Sequence, residues 1–174
     1  GDGCLHLGEP FINNCGYDLA QTVLEWLYDS KLNPREENYP YDNVIGIDQQ
    51  QFIPNGKKAS SISMEEIAYA YKPSNCSIHP LSENCRVHIL YHGCLQNLNS
   101  YYVHSGGDKF NDTLVRHAGF NQWAETNNLV ILYPQATYSE VDPVNPEGCW
   151  DWWGYTGPAY AWNTGPQMET VHNM

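Results

Sequence analysis

Between residues 17 and 30 the apolar positions Leu19, Ala20, Val23, Leu24, Trp26 and Leu27 recur every three to four residues, and Asp18 stands where its side chain can cap the first turn. This pattern predicts an amphipathic helix. Residues 32–41 set Pro34 and Pro40 among charged and amide side chains, which predicts an exposed connection. Residues 43–52 and 66–71 both have strand character, the second because Ile67, Tyr69 and Tyr71 alternate with Ala68 and Ala70. They flank the polar turn Pro54-Asn-Gly-Lys-Lys, so a β-hairpin is expected.

Further on, Cys85-Arg-Val-His-Ile-Leu-Tyr-His-Gly-Cys reads as a short buried strand feeding a tight turn, and Leu129-Val-Ile-Leu-Tyr-Pro as a second buried strand. Between them Phe120, Trp123 and Ala124 have helical spacing. Strand, helix and strand, with both strands continuously apolar, predict a parallel βαβ unit covered on both faces, hence an α/β fold. Beyond Pro134 the pattern dissolves. Trp150, Trp152, Trp153 and Trp162 crowd into a stretch broken by Pro143, Pro146, Gly148, Gly154, Gly157 and Pro158, which predicts a long Trp-rich loop.

At 174 residues the chain suits one domain, 1–174, in three consecutive stretches: a helix region 1–31, a linker and hairpin 32–72, and a βαβ core with its loop 73–174. It starts at Gly1 without an initiator Met and ends at Met174 in what reads as a helix lacking a stop signal, so chain is expected beyond both ends. Six cysteines allow 15 pairings, but spacing favours Cys4 with Cys15 and Cys76 with Cys85, leaving Cys94 for Cys149. No C-x-x-C pair of the zinc or thiol-exchange kind is present. With Asn75-Cys-Ser and Asn111-Asp-Thr as glycosylation acceptors, the even count fits an extracellular, secreted protein or one of the secretory or lysosomal lumen. By loop-closure entropy the short bridges contribute about 2.5 to 3 kcal/mol each and the long one about 4.

Eight basic against twenty acidic residues give a formal charge of −12, which excludes nucleic acid and anionic membrane surfaces as partners and favours a neutral or cationic one. No apolar run approaches the roughly 20 residues of a membrane span. No metal or cofactor is expected: His6, His79, His88, His104, His117 and His172 are scattered, without H-E-x-x-H spacing.

Candidate chemistry gathers at His92-Gly-Cys, a turn at the carboxyl end of a strand, where open α/β sheets place ligands and α/β-hydrolases place an oxyanion donor. Gly93 would let the backbone turn sharply, and the Cys94 amide is the candidate donor. A Cys94–Cys149 bond would tether this turn to Trp150, Trp152 and Trp153, an aromatic wall for an uncharged polymer, with at least one of the three rings in the core and one facing a cleft. The serine nucleophile such chemistry needs has no place here, because no Gly-x-Ser-x-Gly elbow occurs. Ser60, Ser61, Ser63 and Ser105 read as solvated loop residues.

Asn14-Cys-Gly-Tyr-Asp, Leu24-Glu-Trp-Leu-Tyr, Tyr91-His-Gly-Cys-Leu-Gln, Gly119-Phe-Asn-Gln-Trp-Ala-Glu-Thr-Asn-Asn, Leu132-Tyr-Pro-Gln and Asn145-Pro-Glu-Gly-Cys-Trp-Asp-Trp-Trp-Gly-Tyr-Thr-Gly together resemble the catalytic domain of extracellular poly(3-hydroxybutyrate) depolymerases of the circularly permuted type. The resemblance implies an α/β-hydrolase-like sheet, permuted and incomplete in this chain. It implies a serine esterase acting on a short-chain hydroxyacid polyester, with the triad upstream in the same protein and none of it here. To this chain it assigns the Cys94 oxyanion donor and the crevice wall at Trp152, beside which Trp153 and Tyr155 are further candidates. A related esterase group has similar motifs in the ordinary order with its serine downstream; the helix after Cys15 favours the permuted order. The rival expectation is a non-catalytic extracellular module that keeps the aromatic surface for binding.

Overall fold

The computed structural model describes residues 2–29, 31–78, 80–100 and 111–174. His79, His104 and Ser105 lie outside the described residues. A short parallel pair, β1 (Asp2–Gly3) and β2 (Asn13–Asn14), precedes helix α1 (Leu19–Tyr28). Strands β3 (Val44–Asp48), β4 (Ile67–Tyr71) and β5 (Arg86–Ile89) follow, then α2 (Thr113–His117), α3 (Phe120–Asn127), β6 (Leu129–Tyr133) and α4 (Pro166–Asn173). The main sheet has the order β3-β4-β6-β5, with β5 and β6 parallel and β4 and β6 antiparallel.

The chain forms two compact units and passes between them repeatedly. The first comprises residues 1–45, 69–90 and 113–133. Its core is built on β6, all five residues of which are buried. Leu129, Ile131 and Tyr133 meet Phe120, Trp123 and Ala124 of α3, and Ala20 and Leu24 of α1. Each large apolar side chain so buried contributes roughly 1.5 to 3 kcal/mol relative to exposure. Asp18 caps α1 by accepting the Gln21 amide at 2.9 Å, and its second oxygen takes Trp123 Nε1 at 3.0 Å and Arg35 at 2.9 Å. One residue thus starts the helix and ties it to α3. Cys4–Cys15 and Cys76–Cys85 are bonded in this unit, the pairs that spacing favours.

The expected βαβ unit is present, but β5 is not a buried strand. It sits at the edge of the sheet, with Val87 48% and Ile89 38% exposed. Helix α1 likewise turns Ala20 and Leu24 inward while leaving Leu19, Leu27 and Trp26 exposed. In both elements the apolar stripe is wider than the face this chain covers.

The second unit comprises residues 46–68, 91–112 and 134–174. Its core joins Ile53, Ala59, Ile62 and Met64 to Val171 of α4, with Trp150 packed against them. The expected hairpin has adjacent strands, but β3 ends at Asp48. Three 3-10 helices, Gln49–Phe52, Pro54–Gly56 and Ala59–Ile62, replace a single turn. Just past the end of β3 the Gln49 side chain is buried: its amide donates to the carbonyls of Glu65 (2.7 Å) and Gln135 (2.9 Å), and its Oε1 accepts the Gln135 amide (3.0 Å). A buried side chain here satisfies backbone groups of two other segments. Ser63 is also buried rather than solvated, its hydroxyl donating to the Thr137 carbonyl at 2.7 Å. Ser60 and Ser61 are exposed, as expected.

Candidate functional site: the turn after β5 and its aromatic loop

The β5 strand leads into Tyr91, His92, Gly93 and Cys94. His92 is buried and bonded at both ring nitrogens. Its Nε2 accepts the Ala136 amide at 3.0 Å, so the proton sits on Nδ1, which donates to the Gly93 carbonyl at 2.7 Å. Burial holds this imidazole at a pKa of about 4, so it is neutral at physiological pH, and the bond to Gly93 only partly offsets the burial. The histidine is a clamp that fixes the orientation of the Gly93–Cys94 peptide.

Gly93 does not adopt the left-handed conformation; Leu95 does, at φ 62°. What glycine supplies at 93 is space, because a Cβ there would lie 2.9 Å from Gln96 Oε1, the atom that accepts the Gly93 amide. The Leu95 amide donates to the Glu147 carbonyl at 2.7 Å. Between these two committed amides, the Cys94 N–H has no hydrogen-bond partner among the described residues, and Cys94 is exposed.

Cys94 is disulfide-bonded to Cys149, with their Cα atoms 4.3 Å apart. Glu147 lies beside the pair, but both sulfurs are consumed in the bond and offer no metal a thiolate. The loop that carries Cys149 is organised by Asn145, which is fully buried. Its Oδ1 accepts the Cys149 amide at 3.0 Å, and its amide nitrogen reaches the carbonyls of Cys149 and Thr137 and the hydroxyls of Ser63 and Tyr155. Gly148 is required at φ 60°, since a Cβ would fall 1.9 Å from Asn97 Nδ2.

The three adjacent aromatics then diverge. Trp150 packs inward, edge-on to Tyr91 at 5.0 Å and tilted against His92 at 5.4 Å. Trp152 is 71% exposed and meets Trp153 edge-on at 5.2 Å; Trp153, also exposed, lies 4.6 Å from the Tyr155 ring. Tyr155 is committed inward. Its hydroxyl donates to the Cys149 carbonyl at 2.7 Å and accepts Gln167 Nε2 at 2.8 Å, and burial raises its pKa. A cavity of about 300 Å³ opens beside this loop, lined by Tyr91, Trp150, Asp151, Tyr160, Ala161, Gln167 and Met168. With the Asp151 carboxylate bonded back into its own loop, the exposed lining is mostly apolar and aromatic, suited to an uncharged chain with carbonyl groups. Sequence reasoning found the His92-Gly-Cys turn but not the clamping role of His92, and it missed Asn145 and Gln167, whose partners lie up to 105 residues away.

His6, His117 and His172 are exposed, and His88 stacks on Phe120 at 5.4 Å. Asn75 and Asn111, the candidate glycosylation acceptors, are exposed.

No protein-family model matches the chain. It is 36% identical over 175 residues to a poly(3-hydroxybutyrate) depolymerase of Delftia acidovorans, covering 100% of this chain and 31% of that protein. It is 34% identical over 178 residues to a polyhydroxybutyrate depolymerase of Talaromyces funiculosus, covering 98% of this chain and 47% of that one. The crystal structure of PHB depolymerase from Penicillium funiculosum superposes with a TM-score of 0.81 at 31% identity, over 98% of this chain and 51% of that chain. A PHB depolymerase complexed with an R3HB trimer gives 0.80 at 30% identity, over the same shares. The chain thus spans between about a third and a half of these relatives, and its mixed sheet is of the α/β-hydrolase type. Along its whole length the chain is homologous to poly(3-hydroxybutyrate) depolymerases and corresponds to a part of them.

Proposed function

We propose that this chain is the C-terminal portion, 1–174, of the catalytic domain of a secreted, circularly permuted serine esterase that hydrolyses poly(3-hydroxybutyrate) or a similar short-chain hydroxyacid polyester. In this reading a serine, histidine and aspartate in an upstream part of the same protein perform acyl transfer. The chain itself supplies the oxyanion donor, the backbone N–H of Cys94, and the substrate wall of Trp152 and Trp153, with Tyr155 beneath them as support.

The observation that carries the reading is the exposed, uncommitted Cys94 amide, held by the His92 clamp before it and the disulfide to the aromatic loop beside it. A donor placed in advance where negative charge develops stabilises the transition state without reorganisation, and loss of one such donor typically slows turnover by ~10²- to 10³-fold. The ligand of one relative, a 3-hydroxybutyrate trimer, supports a neutral polyester as the substrate class. The exposed apolar faces of β5 and α1 support a larger fold around this portion, since free apolar edges invite pairing. Three disulfides and two exposed sequons, at Asn75 and Asn111, support secretion and glycosylation. Among the described residues no helix is long and apolar enough to cross a membrane.

The absence of a Gly-x-Ser-x-Gly elbow favours a second reading, a non-catalytic module that retains the surface for binding polymer. Assay of the intact protein on p-nitrophenyl butyrate, with and without a serine-directed phosphonate, separates the two. The esterase reading expects turnover that the phosphonate abolishes; no turnover would contradict it.

A further inference from the structure

Asp151 stands between Trp150 and Trp152, and its carboxylate is turned back into its own loop. One oxygen, Oδ1, accepts the backbone amides of Trp153 at 3.2 Å, Gly154 at 2.6 Å and Tyr155 at 3.1 Å. The other, Oδ2, accepts the Thr156 amide at 2.8 Å and its hydroxyl at 2.6 Å. A carboxylate has about four lone-pair sites, so these five donors saturate it and leave nothing for a substrate or a histidine. The Asp151 amide in turn donates to Oε1 of Gln167, a buried residue of α4, at 2.9 Å. Trp152 follows directly, its ring mostly exposed.

We propose that Asp151 is the positioning residue of the aromatic wall. It gathers the backbone on the far side of Trp152 onto one anion and so holds Trp152 and Trp153 in a preformed contact surface for the neutral polyester. The inference rests on the polyester reading above. Hydrogen bonds to a charged acceptor are about twice as strong as neutral ones, and a contact loop ordered in advance loses less freedom when substrate binds.

The test uses the intact protein with Asp151→Ala, Asp151→Asn and Thr156→Val, measuring KM and kcat on the (R)-3-hydroxybutyrate trimer together with acrylamide quenching of tryptophan fluorescence. Asp151→Ala is expected to raise KM at least tenfold while kcat falls less than threefold, and to increase quenching. Asp151→Asn keeps the Oδ1 acceptor and is expected to fall between Ala and the native residue. Thr156→Val removes a single donor and is the milder probe should Asp151→Ala fold poorly; it should raise KM two- to threefold. Unchanged KM and quenching in the folded variants, or kcat falling as much as KM rises, would overturn the proposal. If the native protein does not cleave the trimer, the polyester reading fails, and the quenching comparison alone still decides whether Asp151 holds the tryptophans.

Discussion

Strand β6 fixes five consecutive residues by burying all of them, whereas the loop from Asn145 to Thr156 leaves Trp152 and Trp153 exposed and fixes its path through polar side chains. The strand's bonds are backbone to backbone, and its side chains need only be apolar and of the right volume. The loop has no such repeat. Asn145 and Asp151 gather its amides, and the Cys94–Cys149 bond ties it to the turn after β5. The difference separates two kinds of work: apolar burial at β6 supplies stability, and buried hydrogen bonding holds an apolar surface out in solvent.

The largest expected effect lies on the strand. Ile131 is fully buried, and Ile131→Ala should cost about 3.5 kcal/mol in urea unfolding while leaving tryptophan quenching in the folded protein unchanged. Altered quenching would mean that the loop borrows its order from the sheet.

The turn after β5 adds an acid sensitivity. Because the His92 pKa falls to about 4 in the folded protein against about 6.5 unfolded, the unfolded chain binds more protons between those values and stability rises with pH across that window. The contribution is fully present above pH 6.5 and is lost as pH falls through 4, a change of about 3 kcal/mol. Urea unfolding of the native protein and of His92→Gln at steps between pH 7 and 4 should show the steeper slope in the native protein; equal slopes would remove His92 as its cause.

Helix α1, helix α3 and strand β6 were legible in the sequence because their apolar spacing carries the helical or strand period. The disulfide pairing followed from cysteine spacing. Residues that break a pattern were not legible. Gln49 reads as one more polar residue after a strand, yet its side chain is buried and bonded to Glu65 and Gln135. Ser63 and Asn145 look like loop residues and are buried partners. Val87 and Ile89 read as core because apolar content signals burial only where something covers the strand, and β5 lies at an edge. At the site, the His-Gly-Cys turn and the tryptophan cluster were visible as motifs. The divergence of Trp150 from Trp152, and the anchoring of the loop between them, depend on contacts that no local spacing encodes.

The smallest stability effect accompanies the most direct test. Trp152 is exposed, so Trp152→Ala should change unfolding free energy by no more than about 0.5 kcal/mol. In the intact protein, release of 3-hydroxybutyrate from poly(3-hydroxybutyrate) by this variant, measured beside the native protein, should fall at least tenfold. No release by the native protein, or equal release by the two, would contradict the assignment of this chain as the substrate wall of a polyester hydrolase.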